Sequence, residues 1–185
     1  MEQSAAQRPI LRPGDGDRID RPRSGVMGFI RGVLALLGRL MIATIFLVSA
    51  VGKVPTFAGV VEGMKAKGMQ MEGFPLTEVL LGGAIGFMIL GGISVAIGFK
   101  ARLGAFLLLV FLAAATYYYH DFWNLPAEAR QEQLIQFMKN LALGGAMVFI
   151  VAVGAGPGSI DASIRRRREL AADADEAASP GHTAA

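Results

Sequence analysis

The sequence predicts an all-α protein, a four-helix transmembrane bundle with both termini cytoplasmic. Three observations predict it. Four apolar stretches come close to the roughly 20 residues that cross a hydrocarbon core about 30 Å thick. Charged residues make up 18% of the chain against 53% hydrophobic, and they gather at the two ends and at a few junctions. A soluble domain spreads them more evenly. Finally, the basic residues fall mostly on one side of the apolar stretches.

Residues 1–24 read as a disordered cytoplasmic tail, rich in Arg, Pro, Gly and Asp and lacking an apolar core. No cleavable leader is expected there, so the first span serves as the insertion signal. The membrane domain occupies 25–162. Its first span covers 33–51, with an amphipathic turn before it at Met27 to Ile30. The loop 53–75 contains Pro55, which can open a helix, and Phe57, Val60, Val61 and Met64 at helical spacing. Glu62, Lys65 and Lys67 give that helix a polar side, so it is expected on the membrane surface. The second span covers 76–99 and the third 101–119. Lys100 and Arg102 leave almost no linker, which makes the two a tight hairpin. Asn124 is the expected N-cap of the last long helix, with Pro126 in its first turn, running from Leu125 to about Gly154. Residues 163–185, with Arg165-Arg166-Arg167-Arg168 and then Asp173, Asp175 and Glu176, read as a second disordered cytoplasmic tail.

Charge sets the expected orientation. With both termini inside, the inner side holds Arg8, Arg12, Arg18, Arg21, Arg23, Arg31, Lys100, Arg102 and the four-arginine run. The outer side holds Lys53, Lys65, Lys67, Arg130 and Lys139. Twelve against five is a positive-inside bias. Gly82 and Gly86 form a G-x-x-x-G pattern on the second span, and Ala142 and Ala146 a similar pair on the fourth. Such residues let helices approach closely, within one bundle or between two copies in a homo-oligomer.

The polar residues at membrane depth are the candidates for function. Arg39 lies about 21 Å along the helix from Lys53, below the midplane. It either snorkels to the inner boundary or pairs with Asp161, which follows the Gly154-Ala155-Gly156-Pro157-Gly158 turn. An Arg39–Asp161 ion pair is the structural expectation. On the outer side, all four spans bring polar groups to one level: Lys53, Glu78, His120, Asp121, Lys139 and Asn140. They form either a binding site or a set of helix anchors. The segment Thr116-Tyr117-Tyr118-Tyr119-His120-Asp121-Phe122-Trp123-Asn124 suits the membrane boundary, where rings with one polar end collect.

Several chemistries are excluded. Cysteine is absent, which removes disulfides, thiol relays and cysteine-ligated clusters. One histidine at the membrane cannot give bis-histidine haem ligation. There is no H-E-x-x-H, no phosphate loop and no metal-ligand spacing. The net charge of +3 belongs to membrane topology, and no nucleic-acid partner is expected.

The chain resembles the DoxX family of small four-span membrane proteins. The resemblance rests on Arg39 with Phe46-Leu47-Val48-Ser49-Ala50-Val51-Gly52-Lys53, and on Gly91-Gly92, Gly98 and Arg102. It continues through Ala115-Thr116, His120-Asp121-Phe122-Trp123, Phe137-Met138-Lys139-Asn140-Leu141-Ala142, Gly145, and Gly154, Gly156 and Ser159-Ile160-Asp161. It implies a multi-pass protein of the bacterial inner membrane, surrounded by lipid. Some relatives are linked to quinone-dependent oxidoreductases or to a membrane complex in oxidative-stress defence. Many relatives carry a glutamate in span two; Met88 is the nearest counterpart here.

Two functions follow. One is a redox-associated subunit that binds a quinone-like molecule near the outer face. In it His120, its tautomer fixed by Asp121, passes a proton, and Lys139 and Asn140 stabilise the reduced oxygen. A partner redox protein supplies the electrons. The other is a non-enzymatic membrane scaffold or assembly factor whose tails are the contact surfaces.

Overall fold

The structure is a computed structural model that describes residues 25–178. The expected tail at 1–24 and the end of the second tail, 179–185, lie outside the described residues. Six α-helices and one short 3-10 turn follow in order: α1 Gly25–Lys53, α2 Phe57–Ala66, α3 Leu76–Ile97, α4 Ala101–Tyr119, the turn Phe122–Asn124, α5 Ala127–Val153 and α6 Ile160–Ala178. Four of them, α1, α3, α4 and α5, are long and apolar enough to span a membrane. Their outward side chains agree. Met41, Phe29, Val51, Leu90 and Phe149 are all more than 60% exposed, which in water would be a severe liability and in lipid is the expected surface.

Chain order sets the packing. α1 lies on α3, α3 on α4 and α4 on α5, with α2 laid against α3. The first and last elements and the α3–α4 hairpin share one end of the bundle, called here the terminal face. α2 and the Phe122–Asn124 turn share the other, the aromatic face. The core runs through Phe46, Ala50, Met88, Val95, Ala105, Leu108, Met147 and Ile150. Met88 is fully buried at its centre. Met88 is therefore apolar packing, and a carboxylate in its place would be desolvated among hydrocarbon side chains.

Small residues bring the helices together at places other than the G-x-x-x-G pattern. Nothing lies within 4 Å of a Cβ added at Gly82 or Gly86. At Gly91 such a Cβ would meet Leu108 Cγ at 2.7 Å and the Gly104 carbonyl at 2.8 Å. At Gly92 it would meet Leu47 Cδ2 at 2.9 Å. Gly91→Ala is expected to lower stability by about 1–3 kcal/mol through overpacking, whereas Gly82→Ala leaves it unchanged. Thermal unfolding of the detergent-purified variants measures the difference.

Two element boundaries differ from expectation. α5 starts at Ala127, not Leu125, because Leu125 precedes a proline and is held extended at φ −103° and ψ 149°. Asn124 accordingly ends the 3-10 turn, and its side chain donates to Asp121 Oδ2 at 3.3 Å. The second difference is α6. Residues 160–178 are helical where a disordered tail was expected from 163. Local forces account for it. Ser159 Oγ accepts the Ala162 N–H at 3.1 Å, an N-cap bond. Arg165 faces Glu169 one turn on at 3.8 Å. From Arg165 onward the described side chains are exposed.

The terminal face is clasped by a polar knot. Gly98 ends α3 in the left-handed conformation at φ +70°, and α4 begins three residues later. Asp161 caps α4 from a distance: its two oxygens accept the backbone N–H groups of Lys100 at 2.9 Å and Ala101 at 3.0 Å. The Asp161 N–H in turn donates to the Gly98 carbonyl at 2.9 Å. Arg39, only 3% exposed, donates through Nη2 to the Gly158 carbonyl at 3.0 Å and through Nε to Ala35 at 3.3 Å. The predicted Arg39–Asp161 ion pair does not form. Both residues reach the same junction, but each takes backbone partners, since the carboxylate is already engaged by the free N–H groups of α4.

Candidate functional site

The aromatic face is built from the ends of α2, α3, α4 and α5. On α2, Lys65 forms an ion pair with Glu78 of α3 at 2.8 Å. Lys67 donates to the Tyr118 carbonyl at 3.0 Å and sits 5.2 Å from the Tyr119 ring centroid. Buried Thr77 bonds the Met69 carbonyl. These contacts staple the surface helix to the ends of α3 and α4.

A second set joins α4 to α5. His120 Nδ1 lies 2.9 Å from Gln133 Oε1, a contact that holds if Nδ1 carries the proton. Asn140 Nδ2 donates to Thr116 Oγ1 at 2.9 Å, and that hydroxyl donates to the Leu112 carbonyl at 2.6 Å. Thr116 lies on α4 one turn before His120, the residue that caps that helix. Gln133 and Asn140 are two turns apart on α5. The two pairs are thus rungs between facing helix sides. Above them Phe122, Trp123 and Phe137 stack edge to face, with centroids 5.2 to 6.1 Å apart.

A groove of about 270 Å³ opens beneath this aromatic cap. Leu109, Leu112, Leu141 and Gly144 form its apolar walls, Tyr117, Trp123 and Phe137 lie at its mouth, and Thr116 and Asn140 supply its polar groups. Asn140 uses one amide hydrogen on Thr116, which leaves its second N–H and its amide oxygen for a ligand.

The six expected residues do not converge. Lys53 donates to its own helix at Ser49 O, 3.4 Å away. Glu78 is held by Lys65 on the α2 side. Lys139 is exposed and reaches Gln136 at 3.4 Å. Asp121 bonds Asn124, so Gln133 and not Asp121 orients the His120 ring. Only Asn140 lines the groove, with His120 one helical turn beyond Thr116. Gln133, Thr116 and Phe137 complete the arrangement. The signal for them was the seven-residue spacing of Gln133 and Asn140 and the four-residue spacing of Thr116 and His120, each marking one helix face.

The family model of DoxX matches residues 34–121. Those residues belong to the DoxX family. The matched stretch runs from α1 to the residue after His120, so α5 lies beyond it. Relatives extend further. Inner membrane protein YphA of Escherichia coli (strain K12) is 27% identical over 134 residues, 72% of this chain and 92% of its own length. Inner membrane protein YqjF of the same strain is 25% identical over 138 residues, 75% of this chain and 97% of its own. A Surfeit locus protein 4 homolog of Schizosaccharomyces pombe is 33% identical over 69 residues, 36% of this chain and 23% of its own. No solved structure matches. With four membrane-capable helices and relatives that are inner membrane proteins, the chain is a multi-pass inner-membrane protein.

Proposed function

We propose that this DoxX protein is a redox-associated membrane subunit that binds a quinone-like molecule in the groove between α4 and α5. The observation that carries it is the Thr116–Asn140 pair set in an otherwise apolar groove under an aromatic cap. A quinone has the matching chemistry, a flat ring with carbonyl oxygens on an apolar tail. The Asn140 N–H would donate to one carbonyl, the rings of Trp123 and Phe137 would cover the ring face, and the tail would leave between the helices into lipid. His120 lies one turn beyond the groove, and with one ring nitrogen braced by Gln133 it has the other for relaying a proton between the groove's rim and the surface. Electrons come from a partner. The positive-inside bias favours this face outside and the terminal face in the cytoplasm.

Trp123 is the only tryptophan and lines the groove. Titrating the full-length protein in mild detergent with a short-tailed ubiquinone analogue should therefore quench its fluorescence to saturation. Asn140→Leu should weaken that binding about tenfold, the loss of one buried hydrogen bond. Quenching that never saturates, or that Asn140→Leu leaves unaltered, would overturn the proposal.

A scaffold role is the second reading. The observation in its favour is α6, an exposed helix that carries four successive arginines followed by acids. Deleting 165–185 should abolish a scaffold's activity in cells and leave quinone quenching intact.

A further inference from the structure

A second cleft, of about 540 Å³, lies at the terminal face between α4, the turn after α5 and the start of α6. We infer that it binds the phosphate of an anionic phospholipid headgroup. Three cations line it, Lys100, Arg102 and Arg165, against one carboxylate, Asp161. That carboxylate is turned to the backbone N–H groups of Lys100 and Ala101, which offset its charge. Arg102 is anchored by donating through Nη2 to the Ala152 carbonyl at 3.3 Å, where α5 ends. That bond turns its guanidinium towards the end of α5. Its guanidinium keeps further donors for phosphate oxygens.

The walls distinguish a lipid from a free anion. Leu103 and Val153 line the same cleft and are 55% and 59% exposed on the outside of the bundle. Cations at the level of the helix ends, with exposed hydrocarbon beside them, match a phosphate with acyl chains below it. A basic pocket between helix ends is a known physical form of lipid recognition, each cation contributing on the order of 1 kcal/mol. The cleft is at the opposite end of the bundle from the quinone groove and stands whether or not that groove binds a quinone.

Native mass spectrometry of the full-length protein tests the cleft, with phosphatidylglycerol, phosphatidylcholine and inorganic phosphate titrated in separate arms. Phosphatidylglycerol should be retained over phosphatidylcholine, and inorganic phosphate should neither bind nor compete. Among the described residues neither Lys100 nor Arg165 makes a side-chain bond that joins helices, so Lys100→Gln with Arg165→Gln should fold normally. That double variant should lose about 25-fold in phosphatidylglycerol affinity, roughly fivefold for each cation. Arg102→Gln should add to the loss and Arg102→Lys restore part of it. The triple change Arg166→Gln, Arg167→Gln and Arg168→Gln removes more charge from outside the cleft and should cost less. Equal losses in the two sets would reduce the effect to a basic tail and overturn the site. So would retention of both lipids alike, or displacement of the lipid by inorganic phosphate.

Discussion

Replacing Gly98 with alanine should destabilise the bundle by about 2–5 kcal/mol, one of the two largest effects expected of any substitution here. Two costs add. A side chain at φ +70° occupies the left-handed region, at about 1–2 kcal/mol. The new Cβ would also collide with Arg39 Nη1 and stand 2.5 Å from Ser159 Cβ and 3.2 Å from Ala155 Cβ, an overpacking cost of about 1–3 kcal/mol. None of these neighbours can retreat easily. Arg39 is tethered to Gly158, and Ser159 caps α6. Thermal unfolding in detergent reads the change directly. Gly68→Ala provides the comparison, since Gly68 has φ +82° but nothing within 4 Å. Its loss should be limited to the backbone term.

Asp161→Ala should cost about 3 kcal/mol or more. It removes two charge-assisted hydrogen bonds and leaves the first N–H groups of α4 without their acceptor. Asp161→Asn should be milder, because one amide oxygen can still accept. Exchanging the two charges, Arg39→Asp with Asp161→Arg, should rescue nothing. An arginine at 161 would bring a cation to the positive end of α4, and an aspartate at 39 would be buried facing carbonyl oxygens. A double variant as stable as the wild type in the same unfolding assay would show that the two residues act as a pair after all.

The spans were legible because lipid imposes a length and a composition that a single sequence displays. The hairpin was legible for the same reason, as Lys100 and Arg102 interrupt the apolar run. The partners of Arg39 and Asp161 were not. Both residues were placed at the correct junction, yet their acceptors and donors are the Gly158 carbonyl and the Lys100 and Ala101 amides, backbone groups that every residue possesses. The expected polar cluster failed on a different point. Sequence position fixes how deep a residue lies in a helix, but not which neighbour it faces. Lys53 turns back onto its own helix, Glu78 faces α2 and Asn140 faces α4. α6 was missed because an exposed helix buries no apolar stripe and rests on capping and i,i+4 pairs.

The Arg39–Gly158 bond spans 119 residues of sequence. During synthesis at about 5–20 residues per second, the guanidinium enters the membrane roughly 6–24 seconds before its acceptor exists. For that interval α1 carries a charge that the finished bundle hides, and the partner it takes from outside its own helix, the turn after the last span, is still missing. A product that stops short of Gly158 lacks that acceptor, and its Arg39 keeps only the Ala35 carbonyl of its own helix.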